Sequence, residues 1–186
     1  MSFFMLHCFG PVDQDGTSIH RIPQFENVSW NRGTRVEGHV PVPVRIYLDP
    51  EAPGILLPMY HKGVLLMSDA LIAALRSAGV SNLEVFDAIL VDEVNQCEYT
   101  NYKLINIVGA IAAADLAQSM HVAHGVPLFD VDFDSLVIDE QKAHGALMFR
   151  LAENVSGIVV HESVKDAVLK AGIEHLDFVP TREWIG

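Results

Sequence analysis

Basic residues are scarce in this chain, and scarcest in its middle. Of 12 lysines and arginines only Lys103 falls between Ser77 and Gln141, a stretch holding eleven of the 24 acidic residues. The formal net charge is −12. A surplus this lopsided speaks about partners rather than fold: phosphate backbones are repelled, so nucleic acid is disfavoured as a partner and a basic protein is favoured. Cysteine is nearly absent too. Cys8 and Cys97 form neither a CxxC pair nor a zinc spacing. Free, buried or partly buried thiols in a reducing compartment are expected, with a bridge between the two left open. No apolar run approaches the roughly 20 residues that cross a bilayer. Gly109 to Met120 is apolar but short, and it contains Asp115. The opening Met1 to Phe9 lacks a basic leader and a small-residue cleavage site, so the protein reads as cytoplasmic, with no membrane partner.

Catalytic and ligand motifs are missing as well. There is no GxGxxG, P-loop or GxSxG elbow. His161-Glu162 begins like a zinc-protease HExxH, but its fifth residue is Lys165. Asp130, Asp132 and Asp134 resemble the first half of a calcium loop. Ser135 then replaces the turning glycine and Gln141 the bidentate glutamate. Val131 and Phe133 are instead expected inward on a strand, with the aspartates facing water. His121 and His124 look like histidines near a helix end, with no third metal ligand. The expectation is therefore no enzyme, no metal and no cofactor.

What is present suits one globular domain, residues 1–186, with a loop-rich part over 1–66 and an α+β core over 67–186. No repeat is apparent. Phe3 to Phe9 reads as a first strand. Gly10 to Pro58 is rich in proline and glycine, with Pro41 to Leu48 as an edge strand. Ser68 caps a helix with Leu71, Ala74, Leu75 and Ala78 on one face, stopped by Gly79. Asn82 to Val91, with Leu83, Val85 and Ile89 inward, and Tyr102 to Val108 read as neighbouring strands. Leu136 to Ile138 is a further short strand. Ala146 to Leu151 and Gly157 to His161 flank a turn at Asn154 to Gly157. Ser163 is expected to cap a last helix ended by Gly172, before a strand over Leu176 to Val179. The fold class is α+β: a mostly antiparallel sheet with a few helices on one face and a loop-rich N-terminal region.

The carboxylates Asp92, Glu93, Glu98, Asp130, Asp132, Asp134, Asp139 and Glu140 have only Lys103 among them. Solvated faces normally intersperse both signs. If the two segments adjoin in the fold, all eight share one surface whose self-repulsion a basic partner would relieve.

The order of short motifs adds to this: Ser68-Asp-Ala-Leu, Leu83-Glu-Val-Phe-Asp-Ala, Tyr102-Lys-Leu-Ile-Asn-Ile-Val, Asp132-Phe-Asp-Ser-Leu-Val-Ile-Asp139, Leu147-Met-Phe-Arg-Leu151 and Ile158-Val-Val-His-Glu-Ser. Over roughly residues 55 to 180 the chain resembles bacterial immunity proteins encoded beside polymorphic toxins. The resemblance implies binding and neutralisation of a cognate toxin, often a basic nuclease domain, with no catalytic residue of its own. It transfers no toxin-contact position. Arg150 is expected to be structural, paired with a carboxylate at the core edge. The competing expectation is a small-ligand-binding protein or an enzyme, its site lying between the N-terminal loops and the core and using His39, Tyr47, Tyr60 or His61.

Overall fold

A computed structural model describes residues 2–7, 16–125 and 130–186. Cys8, the end of the expected first strand at Phe9, and the stretches 10–15 and 126–129 lie outside the described residues. In chain order the strands begin with β1 (Phe3–His7), β2 (Ile19–His20), β3 (Val44–Leu48), β4 (Met59–Lys62) and β5 (Val64–Ser68). Helix α1 (Asp69–Ser77) leads to β6 (Leu83–Asp92), β7 (Cys97–Ile107), β8 (Ala110–Ile111), β9 (Met120–Ala123) and β10 (Val131–Ser135). Helix α2 (Glu140–Ala143), β11 (Met148–Leu151), β12 (Asn154–His161), α3 (Glu162–Lys170) and β13 (Asp177–Pro180) complete the order, followed by a 3-10 turn at Thr181–Glu183. A six-stranded sheet runs β2-β3-β6-β7-β5-β4, a five-stranded sheet runs β13-β1-β12-β11-β8, and β9 pairs with β10. Among the described strands β3–β6 and β8–β11 pair in parallel and the rest antiparallel. A mostly antiparallel architecture with, among the described residues, three short helices is an α+β fold.

Helices α1 and α3 lie between the two large sheets. Leu71 and Leu75 of α1 and Val164 and Val168 of α3 pack with Met67 and Ile105 of one sheet and Met148 and Val160 of the other. The far face of the six-stranded sheet is covered by the N-terminal loops through Trp30, Val40 and Leu57. The far face of the five-stranded sheet is covered by Val131, Phe133, Leu136 and Trp184. Two-sided burial explains strands such as Val64-Leu-Leu-Met-Ser68, buried at every position, where alternation is lost.

The helix signals resolve into caps. Ser68 has extended backbone and its Oγ accepts the Leu71 N–H at 3.3 Å. Asp69 and Arg76 sit at the dipole ends that suit their charges. Gly79, at φ +94, lets the chain leave the helix in a conformation costly for other residues. In α3 the cap is His161, whose Nδ1 accepts the Ser163 N–H at 3.2 Å, so the helix begins one residue before the expected capping serine.

Several expectations are corrected. β3 is not an edge strand: it starts at Val44, past both prolines, and lies between β2 and β6. The inward set of β6 changes partway, because a register shift between Ala88 and Leu90 puts Ala88, Leu90 and Val91, not Ile89, in the core. Residues 120–123 form a strand, so His121 and His124 sit at no helix end. Leu136 to Ile138 makes an isolated bridge to Ala114 rather than a strand. The turn between β11 and β12 falls at Ala152-Glu153, and Cys97 is exposed.

The largest correction is that the fold repeats itself. Strands β4-β5-β7-β6 with α1 match β11-β12-β1-β13 with α3. One constant offset relates Ser68 to His161, Leu71 to Val164, Leu75 to Val168 and Gly79 to Gly172. The registers agree: Met59 opposes Met67 as Met148 opposes Val160, and Val85 opposes Ile105 as Phe178 opposes Leu6. Sequence inspection misses this for two reasons. Between 64–86 and the matching 157–179 the identical pairs are only Ala74/Ala167, Ala78/Ala171, Gly79/Gly172 and Leu83/Leu176. The counterpart of β7 is β1, taken from the opposite end of the chain, so the repeat is not collinear.

Candidate protein-binding surface

The eight candidate carboxylates divide into two groups on different cores. Asp92, Glu93 and Glu98 lie at the β6–β7 hairpin end, in the sheet backed by the N-terminal loops. Asp130, Asp132 and Asp134 lie on or beside β10, and Asp139 and Glu140 begin α2, both against the core behind the five-stranded sheet.

The hairpin group is largely spoken for. Asp92 is 8 % exposed and accepts from the Asn95 Nδ2 at 2.8 Å and the Asn95 N–H at 2.9 Å. These bonds hold its carboxyl below the ordinary range, the side-chain bond contributing most. Its role is to close the turn. Glu93 receives both terminal nitrogens of Arg21, at 3.1 and 2.8 Å. Glu98 pairs with Arg45. Further along β6, Glu84 pairs with Arg35 at 3.3 Å, while Lys103 sits 3.3 Å from Asp87. Charge segregated along the sequence is thus partly interleaved in space: arginines of the loop-rich part meet carboxylates of the middle stretch. Exposed pairs of this kind contribute about 0–1 kcal/mol each to stability, so their main effect is on surface potential.

The second group keeps more of its charge. Val131 and Phe133 are each 1 % exposed and point inward, with Phe133 6.0 Å from the Trp184 ring and 6.1 Å from the His121 ring. The period of two then turns Asp130, Asp132 and Asp134 outward, and all three are exposed. His124 donates from Nε2 to Asp132 at 2.7 Å, and this bond followed by the charge of Asp132 raises its pKa. Asp130 and Asp134 make no ion pair with any described residue. Asp139 caps α2 by accepting from the Gln141 and Lys142 N–H groups at 2.9 and 3.4 Å, and Lys142 Nζ lies 3.9 Å away. Glu140 lines a groove of about 480 Å³ with Phe4, Pro180, Arg182 and Glu183.

Met120 and Val122, 64 % and 56 % exposed, stand on β9 beside these aspartates, with Val122 directly opposite Asp132. They were hidden by the helical interpretation of this stretch. The apolar alternation of Met120 and Val122 with His121 between them was the signal for a strand.

The four residues of the competing site do not converge. Tyr60 is buried, bonded to Thr17 Oγ at 2.6 Å and the Leu57 N–H at 3.0 Å. Tyr47 stacks under Arg21, His39 is exposed, and His61 faces away from Tyr60 along β4. Arg150 meets no carboxylate among the described residues. It is fully buried and donates from Nη1 to the Val155 carbonyl at 2.8 Å, while Nε and Nη2 have no hydrogen-bond partner. Burial lowers its pKa to about 10. Among the described residues no group of His, Cys, Asp and Glu is arranged to hold a metal, and no helix is long and apolar enough to cross a membrane.

Outward carboxylates and exposed apolar residues thus share one surface of the β9–β10 pair. The chain belongs to the immunity protein family Imm11, whose family model matches residues 13–183. No curated protein matches it.

Proposed function

We propose that this protein binds and neutralises a cognate bacterial toxin in the cytoplasm, that the toxin is a basic nuclease domain, and that the acidic surface recognises it. Family membership supports the inhibitor role. The observation supporting the acidic surface is the outward row Asp130, Asp132 and Asp134, whose only described ion-pair partner is His124. A nuclease domain is basic where it grips phosphate, and an acidic inhibitor that covers that groove opposes substrate by charge as well as by volume. Complementary fields also speed encounter, by roughly 10- to 1,000-fold at low salt.

Calorimetric titration with the toxin domain encoded beside this gene, at two salt concentrations, tests both parts. Tight binding that weakens with salt is expected. Tight binding indifferent to salt keeps the inhibitor and discards the acidic surface. Asp130→Lys with Asp134→Lys is expected to slow association and flatten the salt slope.

A further inference from the structure

Strand β9 has an open side. In the two-stranded sheet β10 occupies one edge of β9, and among the described residues no strand pairs with the other. The His124 N–H donates to the Asp130 carbonyl at 2.9 Å, which makes 124/130 and 122/132 the hydrogen-bonded pairs of the ladder. The main-chain groups of His121 and Ala123 therefore point to the open edge. The opposite side of the strand pair is anchored: the Val131 N–H reaches the Glu153 carbonyl at 3.0 Å, and Phe133 and Gly186 exchange two bonds at 2.5 and 3.0 Å. An exposed edge strand carrying Met120 and Val122 on its outer face is a template for another strand, and a hazard unless a partner covers it.

We infer that the open edge of β9 is where an extended segment of the toxin docks as an added strand. This rests on the immunity function proposed above. The partner's chemistry follows from the face it joins. Met120 and Val122 require apolar side chains on the same side. Asp130, Asp132 and Asp134 require lysine or arginine within reach, because β9 and β10 carry neither. The occupant is a segment in which apolar and basic residues share one face. Main-chain bonds to His121 and Ala123 supply affinity, and the aspartates supply orientation and choice of partner.

Ala123→Pro tests the edge directly. It removes an outward N–H, not a ladder bond to β10, so the hairpin is expected to survive. Val122→Asp tests the apolar contact, and Asp130→Asn with Asp134→Asn tests the charge. Each variant is first compared with wild type by circular dichroism and thermal melting. Each is then titrated with the toxin domain encoded beside the gene, and hydrogen exchange of the His121 and Ala123 amides is followed in the free and bound protein. The expected results are about tenfold or greater loss of affinity for Ala123→Pro and for Val122→Asp, a reduced salt slope for the double Asn variant, and protection of both amides on binding. Wild type and well-folded β9 variants binding equally, with the amides unprotected, would overturn the docking site and leave the immunity function standing. Wild type that does not bind would overturn both. Sedimentation showing a dimer of this chain that Val122→Asp dissolves would assign the edge to a second copy and also overturn the inference.

Discussion

The β4-β5-α1-β6-β7 half and the β11-β12-α3-β13-β1 half share a frame and differ in what each buries and exposes. At one matched position the first half carries His61 and the second Arg150, near enough for the Arg150 charge to act on His61. At another, Asn106 bonds Glu84 at 2.8 Å, and its counterpart His7 lies across from Asp177. The first half is backed by proline-rich loops whose arginines reach round to its carboxylates. The second is backed by β9, β10 and α2, where aspartates face outward with few cations near them. The packing of two helices between two sheets constrains the apolar positions in both halves. The covers, free of that constraint, differ: one is largely ion-paired and the other charged. The proposed recognition surface belongs with the charged one.

The most damaging way to probe the shared frame is to remove its centre. Leu75 and Val168 are equivalent, fully buried and packed in the same core. Leu75→Ala is expected to cost about 2–5 kcal/mol, and Val168→Ala about 2 kcal/mol for the smaller group removed. Because α1 and α3 share one core, each variant should lower a single urea midpoint seen alike by far- and near-ultraviolet dichroism. Two separated transitions, with only one half lost, would show the halves to be independent.

The buried His61 predicts acid sensitivity, to which His7 of the other half, also lowered by burial, adds in the same direction. Burial, then the charges of Arg150 and His7, lower the His61 pKa to about 4. The folded state therefore binds fewer protons than the unfolded one between about pH 6.5 and 4, and stability falls as pH falls through that window. The loss is on the order of 3 kcal/mol by pH 4. His61→Gln should flatten the pH dependence of the urea midpoint over this range. An unchanged slope would place the acid sensitivity elsewhere.

How much of this was legible in the sequence follows from which interactions are local. Ser68, the apolar face of α1 and Gly79 act within a few residues, and the helix was read almost to its ends. The inward Val131 and Phe133 needed only a period of two. The repeat was not legible, because burial constrains size and polarity rather than identity, and Leu75 matches Val168 without resembling it. The charge map was only half legible. The surplus was visible, but whether Glu93 and Glu98 are free depended on Arg21 and Arg45, brought in from far away by loops without periodicity. Arg150 was misjudged because its chain neighbours, Phe149 and Leu151, mark a buried strand but do not reveal whether any carboxylate faces it in the fold.

A smaller effect compares the two helix caps. Ser68 caps α1 and His161 caps α3 at matched positions, each accepting one main-chain N–H. Ser68→Ala is expected to cost about 1 kcal/mol, and His161→Ala a similar or smaller amount. Thermal denaturation of both variants beside wild type measures this. A negligible cost at Ser68 would mean that the core alone sets the start of α1.

The smallest effect sharpens the contrast most directly, because its sign is opposite to that of His61. His124 sits on the charged cover with its Nε2 against Asp132, and the bond and the carboxylate's charge raise its pKa. A histidine whose folded pKa is raised adds stability that is fully present below the unfolded pKa of about 6.5 and is lost as pH rises through the folded value. Acid therefore weakens the fold through buried His61, and through buried His7 in the same direction, while alkali releases the His124–Asp132 pair. Titration of the His124 ring signals by NMR is expected to show a midpoint above the ordinary histidine value, and Asp132→Asn should return it toward that value. The deprotonated ring leaves all three aspartates without a cation, so the salt dependence of toxin binding should steepen above that midpoint. A midpoint indifferent to Asp132→Asn would show the pair to be absent in solution, and the acidic row would then be fully uncompensated at every pH where its carboxylates are charged.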